Sequence, residues 1–138
     1  MVIATFENEG LNNEIINYCR QKQIPYIDIL KQSINSFIVQ TNELEVSDQA
    51  LVISEIYNFN VCANRDLTDR LVSSMCAGVL FTQFVLDDRY ENLLNFCLNQ
   101  GKEIFVTTFN EKVSDSTELW LKNGAKIVNT AKDIIHEL

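Results

Sequence analysis

The sequence predicts an α/β protein with a mostly parallel, Rossmann-like sheet and helices on both of its faces. Beyond about residue 64, short apolar runs alternate with amphipathic segments of about ten residues, which is typical of strands joined by crossover helices. The composition, with 138 residues, 46% of them apolar, and only one proline, is that of a single globular domain. We therefore expect residues 1–138 to form one domain.

The first half of the chain predicts one helix and several strands. A β-branched run over residues 2–5 predicts the first strand, and apolar residues at helical spacing predict a helix over residues 11–19. Residues 25–30 alternate between apolar and polar side chains, as strands do. Residues 36–40 and 50–56 are further apolar runs, and the polar residues between them favour turns. Between residues 25 and 56 we expect two or three strands and no clear helix.

Helices and strands alternate in the second half of the chain. Leu67, Leu71, Val72 and Met75 form the apolar stripe of a helix that ends near Gly78. The later elements are a strand at 79–82, a helix at 90–100 stopped by Gly101, a strand at 103–108, a helix at 116–123 closed by Gly124, a strand at 126–128, and a helix at 131–138 opened by a capping box of Thr130 and Asp133. The strands expected to be central are 2–5, 51–54, 79–82 and 103–106.

Charge and hydropathy restrict the partners of this chain. Eleven Lys and Arg against nineteen Asp and Glu give a net charge of −8. Nonspecific DNA affinity arises when Lys and Arg displace counterions from phosphates, so this protein does not coat DNA by charge alone. No apolar run approaches the roughly 18 to 20 residues that span a bilayer, and the acidic N-terminus lacks a signal-peptide pattern. We expect a cytoplasmic protein with no membrane partner.

The sequence offers no metal or cofactor motif. The four cysteines are far apart, at Cys19, Cys62, Cys76 and Cys97. The sole histidine is His136, so no zinc-ligand spacing is present. No Gly-rich phosphate-binding turn follows the first strand. We expect buried free thiols, with Cys62, which lies three residues before Arg65, as the one candidate for a reactive thiol.

Several segments of the second half resemble the DprA-type (Smf) DNA-processing protein family. Residues 99–106 read NQGKEIFV, residues 123–128 read NGAKIV, and residues 131–135 read AKDII. In that family a Gln-Gly-Arg-Glu-Val-Phe strand precedes a Gly-Ala-Lys-Leu-Val strand and a Glu-Asp-Ile-Leu helix. Upstream, residues 52–57 (VISEIY) resemble the family's Leu-Leu-Ser-Glu-Tyr-Pro. The resemblance is collinear over residues 50–138.

Further matches and departures define how this chain relates to the family. Residues 70–72 resemble the family's Asn-Arg-Ile-Ile helix, and residues 78–81 resemble the strand behind it. The family's Gly-Ser-Arg and Ser-Gly-x-Ala-x-Gly-Ile-Asp motifs have no counterpart here, and its Ser-Gly-Ser turn falls on residues 88–90. The chain therefore resembles a reduced or diverged member. The resemblance implies a non-enzymatic, dimeric binder of single-stranded DNA that loads a recombinase, whereas relatives in the wider SLOG superfamily sense or cleave nucleotide-derived ligands.

The candidate ligand-binding residues are Ser54, Glu55, Arg65, Arg70 and Arg89. The resemblance and the rule that α/β sheets bind ligands at the carboxyl ends of strands imply that Ser54, Arg70 and Arg89 share one cleft. Two simpler interpretations stay open: Arg70 forms an exposed ion pair with Asp66 or Asp69, and Ser54 with Glu55 forms only a turn. Nearby Asp residues nearly cancel the positive charge of the arginines.

Aromatic and apolar residues suggest two further surfaces. Candidates for stacking on a base are Tyr57, Phe59 and Tyr90, with packing in the core or at its rim as the alternative. Candidates for a dimer interface are Leu119, Trp120, Leu121 and Ile135. Because a helix cannot turn three consecutive side chains toward one core, we expect part of this set to meet a second copy, although burial within the monomer is the competing interpretation.

Three function classes remain from the sequence. The first is a non-catalytic DprA-like protein that binds single-stranded DNA or a nucleotide ligand in DNA processing or recombination. The second is a diverged sensor or sponge for a nucleotide-derived ligand, and the third is an acidic protein-interaction module. No Ser-His-Asp triad is possible with one histidine, and we do not expect an enzyme. A catalytic alternative would pair Glu55 with Asp87 or Asp88 as acid and base.

Overall fold

The structure is a computed structural model that divides into two compact units, Met1–Val72 and Ser73–Leu138. It describes residues 3–5, 11–41, 48–57, 65–82, 88–107 and 115–138. The backbone, but not the side chains, is described for residues 3–5, 11, 40–41, 65–66, 88–89 and 115–117.

Helices and strands alternate through the described residues. The strands are β1 (Ile3–Thr5), β2 (Tyr26–Ile29), β3 (Ala50–Ile53), β4 (Gly78–Phe81), β5 (Glu103–Thr107) and β6 (Lys126–Val128). The helices are α1 (Leu11–Lys22), α2 (Ile34–Thr41), α3 (Arg65–Met75), α4 (Asp88–Asn99), α5 (Asp115–Lys122) and α6 (Ala131–Ile135). The order is that of consecutive βαβ units, which confirms the predicted α/β, Rossmann-like fold class.

The first unit contains a three-stranded parallel sheet in the order β1-β2-β3. Ile3 pairs with Tyr26, and Ile29 pairs with Ile53. Beyond the last paired residues, the N–H of Leu30 donates to the carbonyl oxygen of Ile53 at 2.8 Å. The middle strand is therefore β2, whereas β1 and β3, both predicted to be central, each have one neighbour in the described pairing.

The second unit contains another three-stranded parallel sheet, in the order β4-β5-β6. The middle strand, β5, is buried from Ile104 to Thr107, as its unbroken apolar run predicts for a strand covered on both faces. Phe105 and Val106 are at most 1% exposed. The central position of β5 is confirmed, whereas β4 has β5 as its one described neighbour.

Apolar contacts fix each unit. In the first unit, Ile16 and Cys19 of α1 pack against Tyr26 of β2, which confirms the helical periodicity of the α1 segment. In the second unit, Trp120 is fully buried, and its ring lies 4.8 Å from that of Phe81 between centroids. The competing interpretation, burial within the monomer, therefore holds for Trp120.

One predicted strand is a helix. Residues 36–40, expected to be extended, belong to α2. Ser33 precedes this helix, and its Oγ accepts a hydrogen bond of 3.1 Å from the N–H of Ser36. That contact satisfies one of the free N–H groups of the first turn. A short apolar run fits a strand and a buried helical turn equally well, and the serine cap decides between them here.

The side of α3 that is buried also differs from the apolar stripe that the sequence predicts. Leu67 and Met75, expected in the apolar stripe, are 37% and 42% exposed. The buried side chains of α3 are Thr68, Asp69, Val72 and Ser73. Ser73 Oγ accepts a hydrogen bond of 3.1 Å from Nε2 of Gln100, which shows how a polar group is tolerated inside the unit. Spacing of apolar residues cannot reveal such compensation.

The C-terminal elements follow the sequence closely. Gly101 and Gly124 have φ values of 62° and 77° and stand just beyond α4 and α5, where the predicted helix stops require positive φ. Thr130 and Asp133 form the predicted capping box of α6, although this helix ends at Ile135 rather than at residue 138. No described helix is long and apolar enough to cross a membrane.

Candidate functional site

The carboxyl ends of β2 and β3 carry the polar residues of the candidate site. Parallel α/β sheets present their ligand sites at this edge, because the loops that follow neighbouring strands meet there. The loop after β2 leads through Gln32 to Ser33 at the start of α2, and the loop after β3 begins with Ser54 and Glu55. All of these residues lie in the first unit.

Ser54 joins the two loops. Its hydroxyl donates to the carbonyl oxygen of Gln32 at 2.6 Å and accepts from the N–H of Ile56 at 3.0 Å. The second bond closes a turn of the kind that serine favours, which supports the simpler interpretation of this residue. The turn thus restrains the backbone at Glu55. Because the Ser54 hydroxyl proton is engaged in the bond to Gln32, this geometry does not activate the hydroxyl as a nucleophile.

Arg70 reaches the end of β3 from α3. Its Nη2 donates to Oε1 of Glu55 in an ion pair whose side chains are 47% and 28% exposed, respectively. One of the two interpretations of Arg70 from the sequence is an ion pair with Asp66 or Asp69, and the ion pair described here joins Arg70 to Glu55, another of the predicted ligand-binding residues. An ion pair this exposed contributes at most about 1 kcal/mol, so another anion can compete for the guanidinium.

Tyr57 is the most exposed aromatic side chain in the described part of the chain. It is 96% exposed and lies two residues beyond Glu55, so their Cα atoms are at most about 7 Å apart. By contrast, Tyr90 packs edge-on against Phe81 with centroids 6.0 Å apart, in agreement with the packing alternative. Phe59 lies outside the described residues.

Several predicted site residues cannot be placed. The side chains of Arg65, Asp88 and Arg89 and all of Cys62 and Asp87 lie outside the described part of the chain. The convergence of Arg89 with Ser54 and Arg70 therefore stays a prediction. The structure does bring together Ser54, Glu55 and Arg70.

The described cysteines behave as core residues. Cys19 and Cys97 are fully buried, and Cys76 is half-buried. Burial raises the pKa of the Cys19 and Cys76 thiols, and at Cys76 this effect outweighs the opposing influence of Lys102. A raised pKa keeps a thiol protonated and unreactive. Among the described residues, no three His, Cys, Asp or Glu side chains form a group that could hold a metal ion.

Buried acidic residues are the feature that sequence reasoning missed. Asp69 of α3 is fully buried and Asp28 of β2 is 6% exposed. A carboxylate inside a protein is costly unless charged or hydrogen-bonding groups compensate for lost water, so such positions are seldom accidental. The sequence context of these residues was the available signal. Asp28 interrupts an apolar strand, and Asp69 and Ser73 have the i, i+4 spacing of residues on one helix face.

The parallel βαβ pairings and the polar edge after β3 place this chain in the class of Rossmann-like α/β proteins. The chain is similar in fold to DNA processing protein A (DprA) from Streptococcus pneumoniae, whose X-ray structure it matches with a TM-score of 0.78 and 18% sequence identity. The match covers 100% of this chain and 51% of that one. No protein-family model matches the chain, and no curated protein matches it significantly.

Proposed function

We propose that this chain is a DprA-like, non-catalytic protein that binds single-stranded nucleic acid, or a nucleotide-type ligand, in DNA processing. The observation that carries the proposal is the similarity in fold of the whole chain to a DNA processing protein. The collinear motifs over residues 50–138 point to the same family independently of the fold. The chain spans about half the length of that protein, so the proposal rests only on the part of that protein that this chain matches.

The edge after β3 is the proposed contact surface. Arg70 is a positive group described there, and its half-exposed guanidinium carries several N–H donors that suit a phosphate. Ser54 is engaged in a turn, which favours a positioning role over covalent chemistry. Binding by one or two cations on a molecule of net charge −8 is weak and salt-sensitive.

Fluorescence anisotropy with a labelled single-stranded oligonucleotide at low salt tests the proposal. We expect log Kd to vary with log salt with a slope of about 0.7 per phosphate contacted, and hence a slope of about 0.7 to 1.4 for one or two phosphates. Arg70→Ala weakens binding and lowers this slope. Lys122→Ala is the matched control, because it removes the same charge from an exposed ion pair on α5. Equal effects of both variants would contradict a site at Arg70.

The acidic composition favours one second candidate, a small nucleotide-derived ligand. A mononucleotide brings fewer negative charges than a polymer, so it meets less repulsion from a protein of charge −8. A thermal-shift screen with mono-, di- and cyclic nucleotides separates the two ligands. Stabilisation by a mononucleotide without oligonucleotide binding would replace the first candidate with this one.

Self-association forms a separate part of the proposal. Leu119 and Leu121 on α5 and Ile135 on α6 are 44%, 52% and 62% exposed. All three belong to the predicted dimer interface, whose fourth predicted member, Trp120, is fully buried. We propose that the three exposed side chains contribute to a contact between two copies of the chain.

A further inference from the structure

We infer that Tyr57 stacks on an unpaired nucleobase, and that Glu55 holds the neighbouring Arg70 in an ion pair that a phosphate of the same ligand displaces. This inference rests on the proposed function and deepens it. It names the chemical groups that are recognised, a base and its adjacent phosphate, and a residue that restrains their binding.

The exposure of Tyr57 is the first observation. At 96% exposed, the ring contributes almost nothing to the core of its unit. Leaving a large aromatic side chain in water forgoes the stabilisation that its burial would give. A ring presented in this way on a loop at the carboxyl edge of a sheet can stack on a base, since every base has a π face.

The position of Tyr57 relative to charge is the second observation. The turn closed by Ser54 fixes Glu55, and Tyr57 follows Glu55 by two residues. Arg70 is bonded to that same Glu55. Arg70 is therefore paired with a carboxylate that lies two residues from an exposed aromatic ring. A guanidinium and an aromatic ring are the combination that binds a phosphate and the base beside it. A base inside a duplex has no free face, so the ligand is single-stranded or a free nucleotide.

Glu55 acts as the competitor of the ligand. Its carboxylate occupies donors of Arg70 in the absence of ligand, and a phosphate must take its place. Neutralising Glu55 removes this competition and the repulsion that its charge exerts on the phosphate. Loss of a site residue should therefore strengthen binding, a result that a merely structural role for Glu55 does not produce.

The test measures the affinity of the full chain for a labelled oligothymidylate at low salt. Tyr57→Ala should weaken binding about 5- to 100-fold, the effect of removing one stacked base, while Tyr57→Trp retains it. Glu55→Gln should tighten binding about 2- to 5-fold, as expected when an exposed ion pair no longer competes. Melting curves establish that each variant is folded.

Matched controls separate local from general effects. Tyr18→Ala removes another exposed tyrosine, 56% exposed on α1. Glu118→Gln removes the same charge as Glu55→Gln from another exposed ion pair, with Lys122. Neither control should change the affinity by more than about 2-fold, since long-range effects between exposed charges are screened. If Glu55→Gln and Glu118→Gln raised the affinity equally, the inference that Glu55 competes with the ligand for Arg70 would be wrong.

The outcomes also distinguish this inference from the function beneath it. If the unmodified chain binds neither oligothymidylate nor thymidine monophosphate, the proposed function fails. If it binds but Tyr57→Ala has no effect, the function stands and the stacking inference is wrong. Binding of thymidine monophosphate as tight as that of the oligonucleotide identifies a free nucleotide as the source of the base and phosphate, and weaker binding identifies a strand.

Discussion

Gly78, the first residue of β4, has no room for a side chain. A Cβ atom there would lie 2.9 Å from Cε2 of Phe105 and 3.0 Å from the carbonyl oxygen of Glu103. Phe105 is 1% exposed, so its ring cannot move aside freely. We expect Gly78→Ala to lower the free energy of unfolding by about 1 to 3 kcal/mol, measured by urea denaturation.

A double-mutant cycle with Phe105→Leu checks the cause. Shortening the side chain removes the ring atom nearest to the added Cβ, so Gly78→Ala should be less destabilising in that background than in the unmodified protein. Additive effects would contradict a steric origin in the Phe105 ring.

At the residue scale, chemistry is easier to predict from the sequence than contacts. The residue types at the candidate site, Ser54, Glu55 and Arg70, follow from the motifs. Their pairing does not, because Glu55 and Arg70 are 15 positions apart and meet only when α3 reaches the end of β3. The burial of Trp120 and the exposure of Tyr57 likewise depend on tertiary packing that no local pattern encodes.

At the element scale, the capping box of α6 predicts a pH dependence. The N–H groups of Asn129 and Thr130 donate to Oδ2 of Asp133 at 3.0 and 2.9 Å and hold the pKa of that carboxyl below its ordinary value. A lowered pKa in the folded state stabilises the helix start above the ordinary Asp pKa of about 3.9, and this contribution is lost as the pH falls through the lower folded value.

An NMR titration of the backbone amides measures this transition. We expect the Asn129 and Thr130 amide resonances to shift with an apparent pKa below that of an unperturbed aspartate. The Asp133→Asn variant should remove the shift, since its side chain does not titrate. A normal apparent pKa at these amides would contradict the hydrogen bonds.

Strands and late helices were predictable because local signals agree with the fold. Helix stops at Gly101 and Gly124, and the capping box at Thr130, are local devices that act over a few residues. The prediction failed at α2 and on α3, where local signals compete. An uncharged apolar run fits two structures, and the buried polar face of α3 follows from interior partners that lie far away in sequence.

At the scale of the whole molecule, we expect a dimer whose charge opposes its formation. Each apolar side chain buried in the contact contributes about 1.5 to 3 kcal/mol, and twofold symmetry counts it twice. Sedimentation at about 10 and 100 µM covers the range in which an interface worth roughly 7 to 8 kcal/mol holds two copies together. Added salt should strengthen the dimer by screening the −8 charge of each copy.

Leu121→Asp should yield a monomer at both concentrations. Val39→Asp is the matched control, because Val39 is an apolar residue 71% exposed on α2, in the first unit. If the unmodified protein is a monomer at 100 µM in high salt, the proposed contact between two copies is wrong. Dissociation by both substitutions would assign the effect to charge rather than to α5.

Trp120 gives this chain a built-in optical label. It is the only tryptophan in the sequence, and it is fully buried beside Phe81 in the second unit. The emission wavelength of an indole depends on the polarity around the ring, so the emission maximum of Trp120 reports whether the second unit is folded or exposes this side chain to water. The four tyrosines contribute a separate signal, and three of them, Tyr18, Tyr26 and Tyr57, lie in the first unit. In one unfolding experiment on the unlabelled chain, tryptophan emission therefore reports on the second unit, whereas three of the four tyrosines report on the first.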